Sequence, residues 1–67
     1  MQRFKVDGMT CAHCERAIAE AIHALDPAAT VRVDLAAGTV DTDSEVPAAT
    51  LEAAIIAEGY QARRIEP

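Results

Sequence analysis

Two cysteines with two residues between them, Cys11 and Cys14, have the clearest capacity for chemistry in this sequence. A Cys-x-x-Cys spacing occurs in redox sites, in zinc sites and in metal carriers. A structural zinc ion takes four ligands, but the chain holds only two cysteines and two histidines, and His23 lies well beyond the pair. Cu(I) is a soft ion that suits thiolate ligands. Two thiolates without further donors therefore favour a Cu(I) site formed by Cys11 and Cys14.

The pair lies where a helix is predicted to begin. Backbone N–H groups and the helix dipole favour negative charge there, and thiols at such positions have lowered pKa values. Cys14 should gain most, and because it belongs to the apolar stripe of the helix we expect it to be the more buried sulfur. We expect Cys11 to be the more exposed one and to meet an incoming thiolate first. The metal would then pass through a three-coordinate intermediate shared between two proteins.

Four neighbouring side chains could complete or tune the site. Met9 could bind Cu(I) through its thioether, but a flexible apolar side chain is more typical of core packing beneath the loop. His13 could be an extra ligand or tune the site, although residues between the two cysteines tend to point away from them. Tyr60 could combine a core-edge ring with a hydroxyl placed over the metal loop. Thr10 is expected to cap the helix or to hydrogen-bond within the loop.

Periodic patterns predict the elements that must position these residues. Alternation of apolar and polar residues predicts strands at 3–7, 31–35, 39–43 and 60–65. A first helix is expected to end near Leu25, before Asp26 and Pro27. A second is expected to have Pro47 at its first position and to end at Gly59. The apolar stripe of the first helix consists of Cys14, Ile18, Ala21, Ile22 and Leu25.

The order strand, helix, strand, strand, helix, strand predicts an α+β, ferredoxin-like βαββαβ fold. Its four-stranded antiparallel sheet would carry two helices on one face. The first strand would be central, with the fourth beside it in the opposite direction. The loop of Cys11, the loop at Gly59–Tyr60 and the turn at 36–38 would then lie at one end of the sheet. We expect residues 1–67 to form a single domain.

Composition narrows the function classes. The chain has 6 Lys and Arg residues against 11 Asp and Glu residues, for a net charge of −5. This acidic balance argues against binding to nucleic acid or to an anionic membrane surface. It suits a protein partner with a basic docking face. We find neither a run of about 18 apolar residues nor the apolar stretch of a signal peptide, so we expect a cytoplasmic protein. We find no pair of acidic residues and no nucleophile–base set that would indicate an enzyme.

The segment 8–14, Gly-Met-Thr-Cys-Ala-His-Cys, resembles the Gly-Met-Thr-Cys-x-x-Cys signature of the heavy-metal-associated (HMA) domain family. This family includes copper chaperones and N-terminal modules of copper ATPases. Residues 57–60, Ala-Glu-Gly-Tyr, resemble the loop before the last strand of bacterial members, where a tyrosine sits near the metal. The resemblance covers essentially the whole chain, and within the family the sequence resembles a bacterial copper chaperone.

This resemblance implies the βαββαβ fold, Cu(I) bound by Cys11 and Cys14, and a mainly structural role for Met9. It also implies transfer of copper to a P-type copper ATPase domain of the same fold. Carriers of Hg(II) or Zn(II) share the signature and are one alternative, and a thiol–disulfide oxidoreductase is another. The open two-ligand site also permits a copper-bridged homodimer.

Overall fold

The computed structural model describes residues 1–65, and it contains the six elements that the sequence predicts. In chain order they are β1 (Gln2–Asp7), α1 (Ala12–Leu25), β2 (Thr30–Asp34), β3 (Thr39–Asp43), α2 (Ala48–Ala57) and β4 (Gln61–Ile65). The strands form one antiparallel sheet in the order β2-β3-β1-β4. The predicted ferredoxin-like fold with a central first strand is confirmed.

The core lies between the two helices and one face of the sheet. Phe4 and Val6 on β1 point into it, because strand residues alternate between faces. On the other face, Arg3 and Asp41 are cross-strand partners, and the guanidinium Nε lies 2.6 Å from the carboxylate Oδ1. The core cluster consists of Phe4, Val6, Ile18, Ile22, Ala29, Val40, Leu51 and Ile55.

Two local expectations are wrong. Leu25 was predicted to belong to the buried stripe of α1, but it is 42% exposed. It is the last residue of that helix, and a stripe is buried only as far as another element covers it. Pro47 was expected at the first position of α2, but it is the N-cap, with an extended ψ of 143°.

The register brings three connections to one end of the molecule. Asp7 pairs with Gln61 and Lys5 pairs with Thr39, so the segment after β1, the turn before β3 and the residues before β4 meet there. The Val6 amide donates to the carbonyl of Gly38 at 2.8 Å, which joins the turn to β1. The predicted shared end is confirmed. Among residues 1–65, no helix has both the length and the apolar character that a bilayer crossing requires.

Candidate metal-binding site

A short loop carries the chain from β1 to α1. Gly8 has a φ of +98°, a conformation that side chains disfavour. A Cβ on Gly8 would lie 3.4 Å from Cδ1 of Tyr60, so the tyrosine ring packs directly over this glycine. Cys11 is the N-cap of α1 in extended conformation, and its carbonyl accepts from the amide of Cys14 at 3.0 Å. The loop therefore leads directly into the first turn that holds both cysteines.

The two cysteines differ in burial. Cys11 is exposed, Cys14 is 9% exposed, and both are free thiols. Cys14 lies on the buried side of α1 with Ile18 and Ile22, while Cys11 stands before the helix begins. The predicted order of exposure is confirmed, and an approaching group can reach the Cys11 sulfur more readily than the Cys14 sulfur.

Hydrogen bonds stabilise the thiolate form of Cys14. The Tyr60 hydroxyl contributes most, followed by the backbone of Thr10, with smaller contributions from the Cys11 backbone and the Thr10 hydroxyl. These hydrogen bonds lower the pKa of Cys14 to about 6, although burial of the sulfur acts in the opposite direction. The Thr10 Oγ1 lies 3.9 Å from the Cys14 Sγ. The hydrogen bond to Cys14, with burial as the next cause, raises the pKa of Tyr60 to about 12. The phenol thus stays protonated and donates to the sulfur.

The other candidate residues separate into two groups. Tyr60 and Thr10 contact Cys14, and Tyr60 also packs against the core, so both interpretations of Tyr60 hold. Met9 is half-buried against the core, as its structural interpretation predicts. His13 is exposed on the first turn of α1. Within residues 1–65, no group of three or more His, Cys, Asp and Glu side chains is placed to hold a metal ion.

Thr10 was expected to cap the helix or to hydrogen-bond within the loop. The helix α1 has no side-chain cap, and the Thr10 hydroxyl lies within hydrogen-bonding distance of the Cys14 Sγ, so the structure contains the second of these roles. Threonine is also a common N-cap residue, and only the path of the loop distinguishes the two roles. The arrangement holds one stabilised thiolate and one accessible thiol side by side at a helix start.

The lowered pKa of Cys14 can be measured directly. In the Cys11→Ser variant, thiolate absorbance at 240 nm should titrate with a midpoint near the pKa of about 6. Tyr60→Phe keeps the ring but removes the donor, so the midpoint should rise towards the ordinary thiol value. An unchanged midpoint in Tyr60→Phe would show that the hydroxyl does not stabilise the sulfur.

The same shift predicts how stability depends on pH. A group whose folded-state pKa lies below its unfolded value stabilises the fold fully above the unfolded pKa, and this contribution is lost as pH falls through the folded pKa. The pKa of an unperturbed cysteine thiol is 9.0, and the pKa of Cys14 in the folded protein is about 6. Chemical denaturation of the reduced apo-protein should therefore show a free energy of unfolding that decreases as the pH is lowered from 9.0 to about 6, and Cys14→Ser should remove that component.

Comparison with known proteins places this geometry among metal-handling proteins. The chain is 34% identical over 65 residues to the copper chaperone CopZ of Staphylococcus saprophyticus, covering 92% of this chain and 96% of that protein. It is 38% identical over 66 residues to copper-transporting ATPase 1 of Rhizobium meliloti, covering 96% of this chain but only 8% of the ATPase. A solved gold binding protein matches with a TM-score of 0.91 and 34% identity, covering 97% of this chain and 100% of that one.

The family model of the heavy-metal-associated domain matches residues 3–61. That range runs from β1 to the first residue of β4 and includes both cysteines, the loop between β1 and α1, and Tyr60. The fold is that of the copper chaperones to which the chain is similar. The chain therefore belongs to the heavy-metal-associated domain family of metal-binding proteins.

Proposed function

We propose that this chain is a cytoplasmic Cu(I) chaperone that binds one copper ion through Cys11 and Cys14. The observation that carries the proposal is the unequal pair of free thiols at the start of α1, one exposed and one buried. Two sulfurs satisfy the soft Cu(I) ion but leave it open to a third thiolate. A carrier needs this combination, because it must hold its cargo and still release it.

Release follows from the difference between the two sulfurs. An incoming thiolate forms a copper–sulfur bond on the side of Cys11, the copper–Cys11 bond breaks, and Cys11 leaves as a thiolate. Cys14 keeps hold longest, because its buried sulfur is less accessible to an incoming thiolate than that of Cys11. A second incoming thiolate then displaces Cys14. Copper remains monovalent throughout, and no electron is transferred.

The receiver in this proposal is a copper-transporting P-type ATPase. Similarity between this chain and a segment of the Rhizobium meliloti ATPase supports it, because similar domains can present similar thiol pairs to each other. We propose that residues 1–67 form one domain, that the chain acts as a carrier rather than an enzyme, and that it works without nucleic acid or membrane contact. A copper-bridged homodimer is a further prediction, tested by measuring the mass of the copper-loaded protein.

One alternative has a specific observation in its favour. The similarity to a gold binding protein fits a carrier of another soft ion, such as Hg(II), held by the same two sulfurs. Zn(II) is the less suitable cargo, since it prefers four ligands. Loss of the gene should sensitise cells to copper if the chaperone proposal is right, and to mercury or zinc if the alternative is right. Catalytic reduction of insulin disulfides would instead support an oxidoreductase.

An anaerobic titration tests the proposal directly. With the reduced protein and a chromophoric Cu(I) chelator as competitor, we expect one tightly bound Cu(I) per chain. A hundredfold excess of Zn(II) should not displace it, because two thiolates suit the soft ion and leave zinc under-coordinated. Displacement by equimolar Zn(II), or a cysteine pair that stays locked as a disulfide under reducing conditions, would contradict the proposed function.

A further inference from the structure

The sheet has two edge strands, and one of them, β4, is protected against pairing with another chain. The carboxylate of Glu52 on α2 accepts a hydrogen bond from the backbone amide of Arg64 at 2.9 Å. Arg64 is also the cross-strand partner of Phe4, so its charged side chain lies on the helix side of the sheet. Natural edge strands avoid further pairing by such inward-pointing charges and by covering their edge. We conclude that β4 is a poor template for an added strand.

The other edge strand, β2, has neither protection. Its sequence, Thr-Val-Arg-Val-Asp, contains no Pro, Gly or Lys and is rich in β-branched residues. Among residues 1–65, the backbone amides that bond to a side chain are those of Ala28, Ala37, Val46 and Arg64. None of these amides belongs to β2. Because alternate residues of an edge strand direct their N–H and C=O groups away from the sheet, β2 offers such groups to another strand.

The apolar residues of β2 are incompletely covered. Val31 and Val33 pack against the core but are only half-buried. Val40, the partner of Val33 on β3, is fully buried, because β3 has a neighbouring strand on both sides. Leu35, the next residue in the alternation of β2, is half-buried as well. A strand added beside β2 would therefore remove further apolar surface from water.

We propose that β2 pairs in antiparallel orientation with β2 of a second copy of this chain, which joins the two four-stranded sheets into one. The contact is two-fold, so each residue faces its partner twice. With the axis at Val33, Arg32 lies opposite Asp34 of the second copy and Val31 lies opposite Leu35. With the axis at Arg32, two guanidinium groups would face each other. Facing opposite charges stabilise a sheet and facing like charges destabilise it, so the charges select the register centred on Val33.

This pairing leaves both metal sites open. The strand β2 runs towards the turn at 36–38, which lies at the Cys11 end of the molecule. Because antiparallel neighbours run in opposite directions, the two Cys11 residues lie at opposite ends of the dimer. Copper is not shared, in contrast to a copper-bridged homodimer, and each thiol pair can meet an acceptor. The inference goes beyond the proposed function and does not depend on copper.

Sedimentation of the reduced apo-protein tests the pairing. Each copy carries a net charge of −5 and the contact is small, so we expect a weak dimer whose average mass rises towards two chains between about 10 µM and about 1 mM. The double variant Cys11→Ser, Cys14→Ser should associate equally, because neither copper nor a disulfide takes part. In NMR spectra, the amide signals of Thr30–Asp34 should move with concentration, and those of Gln61–Ile65 should not.

Two charge variants test the register. Arg32→Asp leaves only negative charge on β2 and Asp34→Arg leaves only positive charge, so each variant alone should associate at least about tenfold more weakly than the unmodified chain. A 1:1 mixture of the two restores both ion pairs and should form a heterodimer. Arg63→Asp and Glu58→Arg change the net charge by the same amounts away from β2. These matched controls should associate within about threefold of the unmodified chain.

Each contrary outcome identifies what is wrong. An apo-protein that stays monomeric up to about 1 mM overturns the inference and leaves the proposed function untouched. Equal weakening by Arg32→Asp and Arg63→Asp would show that net charge governs association, and loss of association in the double serine variant would assign it to the cysteines. The Asp34 carboxylate also accepts from the amide of Ala37 at 3.0 Å. If Asp34→Arg fails to fold for this reason, the amide signals of the unmodified chain decide.

Discussion

Replacing either Cys11 or Cys14 by serine should lower the affinity for Cu(I) by at least about a thousandfold, or about 4 kcal/mol. The loss should exceed the roughly 10–100-fold cost of removing a residue that only supports a metal ligand. In the proposed site each sulfur is half of the donor set, and a serine hydroxyl is a poor partner for a soft ion. Competition with a chromophoric chelator, under anaerobic conditions, measures both variants.

His13→Ala is the matched control for the two serine variants. His13 lies between the cysteines in sequence but is exposed, so removing its imidazole should change Cu(I) affinity less than about threefold. An effect as large as that of a cysteine replacement would make His13 a ligand. Wild-type affinity in both serine variants would mean that copper binds elsewhere, and the proposed site would be wrong.

The two serine variants should differ in the thiol that remains. Cys11→Ser leaves the buried sulfur with its hydrogen bonds to Tyr60 and Thr10, and Cys14→Ser leaves only the exposed one. With a fast thiol-alkylating reagent at pH 7, access to the buried sulfur should limit the reaction of the first variant, because the pKa of Cys14 is about 6. Its reaction rate should therefore fall only when the pH is lowered through about 6.

Local patterns predicted the fold well, because each strand and helix is marked by its own neighbours. The alternation around Phe4 and Val6 and the stripe of Ile18 and Ile22 both report which side of an element is apolar. All four side chains lie in the core. The predicted burial was wrong for Leu25, because burial requires a second element that covers the residue. The spacing of apolar residues along one helix does not show where that second element lies.

The site was predictable in its residue types but only partly in its contacts. The cysteine spacing and the position at a helix start identified Cys14 as the buried sulfur with a lowered pKa. The groups that lower it most are the Tyr60 hydroxyl, which reaches the site only because β4 pairs with β1, and the backbone of Thr10, whose position depends on the path of the loop. The hydrogen bond between His23 Nε2 and the carbonyl of Ala29, at 2.9 Å, likewise could not be predicted from the sequence.

Phe4→Ala should be the most destabilising single replacement in this domain. Phe4 is fully buried on the central strand, and truncating a buried phenylalanine to alanine costs about 3–5 kcal/mol. A domain of this size has a total stability of about 3–10 kcal/mol. We therefore expect the reduced apo-form of Phe4→Ala to be largely unfolded at temperatures where the unmodified domain is folded. Its Tm should be at least about 12 °C below that of the unmodified domain. Thermal unfolding followed by far-ultraviolet circular dichroism measures the change.

Leu25→Ala is the matched control for Phe4→Ala. It also removes a large apolar side chain, but from a position that is 42% exposed. Its effect should stay within about 0.5 kcal/mol, as for most surface replacements. A loss comparable to that of Phe4→Ala would show that Leu25 is covered in solution and that the predicted stripe was right after all.

Copper should partly restore the folded state of Phe4→Ala. A ligand that binds only the folded chain adds about 4 kcal/mol at a thousand times its Kd, similar in size to the loss. The unfolded chain keeps both thiols close in sequence and binds some copper, which reduces the gain. The remaining rise in Tm measures how far Gly8, Tyr60 and the start of α1 organise the two sulfurs in advance. Cys11→Ser in the same background should abolish it, and a Tm that copper leaves unchanged in Phe4→Ala would show that folding does not organise the pair.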